Sequence, residues 1–462
     1  MVPPLLKQRY HELFDLRVRG PRIPLKKRLE CFSWAWFASS MGTGGIAMVI
    51  SLYPYRFYGM NTIGKVVFIF QLCLLATYFI CITYRFVRVP GSLQKSWTNP
   101  AEMLFIPTSL LSVATSISCL DPFAWPYVGI WMVYFIRVVY WIFVGVSFIF
   151  VMGQFYTLYS RNIFTPETIA PALVLPIFPC MICGVIASAI AESQPAKQAK
   201  DMVIAGIAFQ GLGFWVYIMV YAVNMYKLFI YGLMPASDRP GLFIFVSPPS
   251  FTGLTLLDLS FAARKKRPYI FVGENSSEML EFVSCFMALF MVGLSLFNFS
   301  IAFVCMVAGF CSKQAVKFKV SWFAMVFANV GLVMDIDEIG RSVNSAAIKM
   351  VGEIAGVAIT VVWIALFLMA ARAVYVQEIL YPGKDENSST LSHEVLQYYS
   401  ALQETVATYN IPAPQPGGDP STAAYNADMA PIDEKKDGDM SSAYRRNFYP
   451  AVHGNPTPEE II

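Results

Sequence analysis

From Cys31 to Leu380 the chain is an almost continuous succession of apolar segments about 350 residues long. One bilayer crossing needs roughly 20 apolar residues, so this block has room for about ten crossings joined by short connections. Of the whole chain 56% is hydrophobic and only 14% charged, against about 25% charged for a soluble globular chain. The length therefore divides into membrane spans rather than soluble domains, and the expected fold class is an all-α membrane protein.

The block excludes several chemistries. The three histidines, His11, His393 and His453, all lie outside it, which removes a histidine metal centre or proton relay from the membrane. No G-x-x-x-x-G-K-[ST] phosphate loop is present, so nothing points to an ATP-driven pump. Gly42-Thr43-Gly44-Gly45 is glycine-rich but sits inside an apolar segment, a poor setting for a nucleotide. Cys180-Met181-Ile182-Cys183 has metal or redox spacing without a second ligand pair, and a free cysteine packs as a small hydrophobe. No metal, cofactor or enzyme constellation emerges. The net charge of +4 conceals an asymmetry: from Pro382 onward twelve acidic residues face five basic ones. The basic excess elsewhere belongs to the loops and the N-terminus, not to a nucleic-acid face.

Residues 1–30 form a basic arm with eight positive charges and no signal-peptide core. Their placement before the first span predicts a cytosolic N-terminus. The spans are expected near 32–53, 63–87, 102–120, 127–158, 168–191, 201–230, 247–263, 278–311, 320–336 and 346–376. The seventh is the weakest. An even number returns the C-terminus to the cytosol, where the Pro- and Ser-rich segment 381–462 is expected to be largely disordered, with a short helix near Leu391–Thr408. Most basic loops fall on the cytosolic side in this arrangement. Arg264-Lys265-Lys266-Arg267 does not, so either the seventh span is not a full crossing or this loop breaks the rule. Asn275-Ser276-Ser277, a glycosylation sequon in the same loop, favours the outside.

Odd and even spans differ. Odd spans carry helix breakers: Gly42, Gly44 and Gly45; Pro107; Pro171, Pro176 and Pro179; Pro248 and Pro249; and Gly331. Even spans contain no proline. Proline removes a backbone donor, and freed carbonyls are tolerated at membrane depth only inside protein or along a watery cavity. The pattern predicts five helical hairpins, with the broken odd helices inside around a central pore.

Charges within spans are functional candidates by default. Arg137, deep in the fourth span, is either a fixed charge for an anion path or half of a structural pair. Arg85 ends the second span and either lines the path or reaches out to the interface. Glu102 opens the third, where it favours that helix's N-terminus. Lys349 and Glu353 at i,i+4 neutralise one another. Asp335, Asp337, Glu338 and Arg341 close the ninth span, as a solvated loop or as a proton-sensing mouth. Thr43, Thr108, Ser109, Ser250, Thr252 and Asn329 on the broken helices offer hydroxyls and amides to a carboxylate without a buried charge. Phe327, among them, either plugs a narrow path or simply packs.

Several segments then carry a resemblance. Trp36-Phe37-Ala38 with Gly42–Gly45, Leu175–Pro179 with Met181–Gly184, Phe209–Trp215, Ser247–Phe251, Arg267–Gly273 and Tyr381–Glu386 together resemble the fungal malate permeases of the tellurite-resistance/dicarboxylate transporter family. The resemblance runs from about Leu6 to Glu386. Gly44 and Gln210, both within these motifs, complete the candidate substrate path. The resemblance implies ten spans around a pore, a homotrimer with one pore per subunit, and plasma-membrane transport of C4-dicarboxylates such as malate or succinate. It also implies a phenylalanine gate in the ninth span: Trp322-Phe323-Ala324-Met325-Val326-Phe327 matches its pattern, with Ala328 where proline is usual.

The expected function is transport of malate and related C4-dicarboxylates, driven by the anion gradient or coupled to protons. The rival is a channel or exporter for a small inorganic anion such as sulfite. With no membrane histidine, a carboxylate is the natural protein site for a coupled proton, and Glu338 in Glu338-Ile339-Gly340 is the first choice.

Overall fold

The computed structural model describes residues 24–381 apart from 162–163, 167, 266–272, 274 and 313–315. Most of the basic arm, the C-terminal segment with its expected helix, and half of the Arg264–Arg267 run lie outside the described residues. Among the described residues ten helices are long and apolar enough to cross a membrane. They are α1 (Trp34–Leu52), α2 (Met60–Arg88), α3 (Pro100–Phe123), α4 (Trp131–Ser160), α5 (Pro171–Ser193), α6 (Ala196–Tyr231), α7 (Ala236–Lys265), α8 (Ser276–Phe310), α9 (Val320–Ser342) and α10 (Ala346–Tyr375). Each even helix returns the chain, so the five odd helices all run in one direction.

The two sets are sorted by burial. In their most apolar stretches 83–89% of the odd-helix residues are buried, against 22–33% in the even helices. The odd helices close a ring in chain order: α1 packs on α3, α3 on α5, α5 on α7, α7 on α9 and α9 on α1. Around it, α2 backs α1, α4 backs α5 and α3, α6 backs α5 and α7, α8 backs α7, and α10 backs α9. The outer helices turn large apolar side chains such as Ile149, Phe229 and Phe282 outward, as a lipid-facing surface requires.

Four of the prolines act at junctions between helical segments, while Pro176 lies inside the 3-10 segment of α5 and Pro122 in the last turn of α3. Four odd helices begin with a 3-10 segment: Trp34–Trp36, Pro171–Ile177, Ala236–Val246 and Val320–Trp322. Pro107, Pro179, Pro248 and Pro249 then sit in the first turn of the α-helical part. There a missing N–H costs nothing, because first-turn donors have no intrahelical acceptor. Counting the 3-10 segment makes α7 a 30-residue helix, long enough to cross, which answers the doubt about the seventh span. Likewise α9 runs on to Ser342, beyond its expected end.

The two ends of the bundle are tied together. Arg28 donates from Nη2 to the Val374 carbonyl at 2.7 Å and from Nε to the Leu380 carbonyl at 3.0 Å. Both ends of the ten-helix unit therefore lie on one face, as an even number of crossings demands.

Candidate functional site

Two rings meet inside the inner helix ring. Phe327 of α9 and Phe251 of α7 are both buried, with ring centroids 5.1 Å apart and planes inclined by 31°. Glycines make the room. A Cβ on Gly331 would lie 2.9 Å from the Phe251 ring, and one on Gly45 would lie 3.1 Å from Val330 and 3.4 Å from the Phe327 ring. Three backbones, α1, α7 and α9, thus close around two phenylalanines. Ala328 leaves α9 an uninterrupted α-helix from Phe323 to Ser342.

On one side of the rings lies a cavity of about 330 Å³. It is lined from the first turns of α3, α5, α7 and α9, together with Lys227 near the end of α6. Four of the five inner helices contribute, so the cavity sits on the axis of the ring. Its polar groups include Lys227, Lys319, Asp238 and Thr168, over an apolar floor of Leu104, Ile244 and Trp322. Lys319 Nζ donates to Asp238 Oδ1 at 2.5 Å.

On the other side are acids. Seven residues beyond Phe251 on α7 comes Asp258, and eight beyond Phe327 on α9 comes Asp335, roughly 10–12 Å along each helix at 1.5 Å per residue. Asp335 is fully buried; its carboxylate lies against Gly253, where a Cβ would be 2.5 Å from Oδ1. Among the described residues no donor reaches either of its oxygens. Asp337 and Glu338 are also buried, so the helical end of α9 is not a solvated loop. Arg341 donates to Glu338 Oε2 at 2.9 Å and to the Leu52 carbonyl of α1. Just past α1, burial and the Asp337 and Glu353 carboxylates push the Tyr53 phenol up to about 12, so Tyr53 stays a neutral donor at this mouth. Among the described residues no three His, Cys, Asp or Glu side chains converge to hold a metal ion.

The remaining candidates are distributed as follows. Thr43 Oγ1 accepts from Trp363 Nε1 of α10 at 3.1 Å. Ser250 Oγ donates to Ser295 Oγ of α8 at 2.9 Å, and Gln210 Nε2 of α6 donates to Thr252 Oγ1 at 2.9 Å. These groups join inner to outer helices. Thr108 Oγ1 donates to the Trp34 carbonyl at 3.0 Å, joining α3 to α1, and Gly44 is where α1 meets Thr115 of α3 and Gln71 of α2. Ser109 and Asn329 keep 7% and 6% exposure, while Thr43, Thr108 and Ser250 keep none. Asn329 Oδ1 is unpartnered. Arg137 lies half-buried on outer helix α4, donating from Nε to Gln194 Oε1 at 3.0 Å. Arg85 and Glu102 form a fully buried pair, with Nη2 3.1 Å from Oε2 and Nη1 donating to the Phe32 carbonyl at 2.8 Å. Glu353 accepts from the Tyr55 amide at 2.8 Å, and no ion pair joins it to Lys349.

This arrangement of cavity, paired rings and acids along one axis suits permeation rather than catalysis. Residues 31–371 match the family described as SLAC1, voltage-dependent anion channel. The chain belongs to this family. Its relatives include a Schizosaccharomyces pombe protein provisionally named a malic acid transport protein, 68% identical over 400 residues, 87% of this chain and 93% of the relative. A second Schizosaccharomyces pombe relative, named a malic acid transport protein, is 49% identical over 384 residues, 83% and 88% of the two chains. A sulfite efflux pump of Trichophyton rubrum is 22% identical over 340 residues, 73% and 89%.

Membership in the SLAC1 family makes this a multi-pass membrane transport protein and not an enzyme. Within that frame, the sequence reading leaves Phe251, Asp258, Lys227 and Lys319 outside its candidate path. Asp258 was open to discovery, since a lone acid inside the seventh span is a candidate by default. Phe251 had a fainter signal: it follows the Pro248-Pro249 step on a broken helix, but only packing brings it to Phe327.

Proposed function

We propose that this protein carries malate and related C4-dicarboxylates across the plasma membrane along the axis of its inner helix ring. The observation that supports this most is identity of 68% and 49%, over most of both chains, to relatives named for malic acid transport. Phe327, with Phe251 beside it, is the gate of this path. Ser109 and Asn329 are lining groups, on the strength of their residual exposure. Both termini are cytosolic in this reading, the active form is a homotrimer, and the cavity opens toward the cytosol. Small inorganic anions such as sulfite are the second substrate class, favoured by the 22% likeness to a sulfite efflux pump and by the family's description as an anion channel. Purified protein in vesicles is expected to take up labelled malate and succinate well ahead of sulfite and chloride. Sulfite uptake without malate uptake would transfer the protein to the second class.

Transport in this reading is coupled to protons at the acidic end. Glu338 faces Arg341 and Asp337 on α9, Asp258 on α7 and Glu192 at the end of α5. Asp335 faces Asp258 and Glu338. An anion entering this group meets like charge in a poorly screened space unless protons accompany it. Glu338→Gln is therefore expected to lower the number of protons moved per malate, with Asp335→Asn as its companion. Malate-driven acidification at the wild-type ratio in both variants would assign the proton to the substrate itself, crossing as the monoanion.

A further inference from the structure

The axial cavity has a chemistry of its own. It sits where α3, α5, α7 and α9 begin, ahead of the two rings, and two lysines from different elements line it. We propose that this cavity is a docking subsite for C4-dicarboxylate dianions, held at their two ends by Lys227 and Lys319. The proposal rests on the dicarboxylate reading above and adds the place and the residues of first capture.

Three features carry it. The cavity volume of about 330 Å³ falls at the lower end of small-molecule sites, which run from roughly 300 to 1,000 Å³. Its floor of Leu104, Ile244 and Trp322 suits a short carbon chain, and its lysines suit carboxylates. A charge-assisted hydrogen bond from an ammonium to a carboxylate is among the stronger polar contacts, and a flexible lysine stem can follow its ligand.

The second feature is Asp238. It engages Lys319 at 2.5 Å and lines the same cavity. An arriving substrate carboxylate has the same chemistry as Asp238 and competes with it for Lys319. The site is thus partly self-neutralised when empty and releases its ligand by restoring the internal pair.

The third feature is the asymmetry of the axis. Cations line the cavity, whereas Asp258, Asp335, Asp337 and Glu338 occupy the region beyond the rings. A dianion is favoured at one end of the path only. Two cations acting on two carboxylates also discriminate by charge number, because a monocarboxylate can engage one lysine at a time.

The test uses the full chain in excised membrane patches, with malate or lactate supplied at the cavity face. Lys227→Gln and Lys319→Gln are each expected to raise the malate half-saturation concentration about tenfold, as loss of one charge-assisted hydrogen bond implies, while lactate shifts far less. Lys319→Arg keeps the charge and stays near wild type. Asp238→Asn frees Lys319 and shifts malate half-saturation downward. Chloride current and melting temperature verify that each variant is folded. Wild-type malate half-saturation in a folded Lys227→Gln/Lys319→Gln double variant would overturn the subsite while leaving malate transport intact. Absence of malate current in the wild type would overturn the dicarboxylate reading and the subsite with it.

Discussion

Phe327→Ala is expected to raise anion conductance about tenfold, because removing a ring contact worth roughly 0.5–1.5 kcal/mol shifts a gate by up to a decade. The ring is buried against Phe251 at 5.1 Å, and glycines on α1 and α9 provide the space for the pair. A narrow path blocked by two rings opens when one is deleted, and the wider opening discriminates less well between malate and chloride. Phe251→Ala is expected to act in the same direction. The double variant should fall short of the sum, since residues in contact do not contribute independently. Current recordings at matched surface expression check this. A core Phe→Ala substitution also costs about 3–5 kcal/mol of stability, so Phe327→Leu serves as the better-packed companion. Unchanged currents in both single variants at normal surface levels would make the two rings ordinary packing.

Glu102→Gln is expected to destabilise the folded bundle by about 3–5 kcal/mol, the usual result of leaving one member of a buried ion pair uncompensated. Neither Arg85 nor Glu102 retains any exposed side chain, and the two meet through two nitrogen–oxygen contacts. Arg85 also holds the Phe32 carbonyl just before α1, so the pair links α2, α3 and the entry to the first inner helix. Replacing both residues by methionine should recover most of the loss, because an apolar pair of similar volume is often neutral or better. Melting of detergent-solubilised protein and the amount reaching the cell surface report the effect. A Glu102→Gln variant that melts like wild type but carries altered malate flux would move Arg85 from the scaffold to the path.

The acids of α9 show how a local reading and a packed structure diverge. Asp335, Asp337 and Glu338 follow one another near the end of an apolar run, the pattern of a helix passing into solvent. Packing extends α9 to Ser342 and buries all three against neighbouring helices. Only then does Asp258, from another helix, come to face Asp335. The pair at Lys349 and Glu353 failed for a related reason. Spacing of four residues allows the contact but does not enforce it, and the partner that Glu353 does meet is the Tyr55 amide, distant in sequence.

The number of crossings, their order and their division into inner and outer sets were legible from the chain alone. Apolar length and proline position are local properties, and a bilayer imposes one requirement on every segment: its backbone must be satisfied within itself. The family motifs added the ninth-span phenylalanine. What each helix turns toward the axis was decided by the tertiary structure. A helix that is apolar all round carries no polar stripe to mark its buried face. Its rotation is settled instead by where neighbours approach, as Gly45 and Gly331 do around Phe327 and Phe251. The same rotation turns Thr43, Ser250 and Thr252 toward hydrogen-bonding partners on α10, α8 and α6. It also gathers Lys227 and Lys319, more than ninety residues apart, around one cavity on the axis.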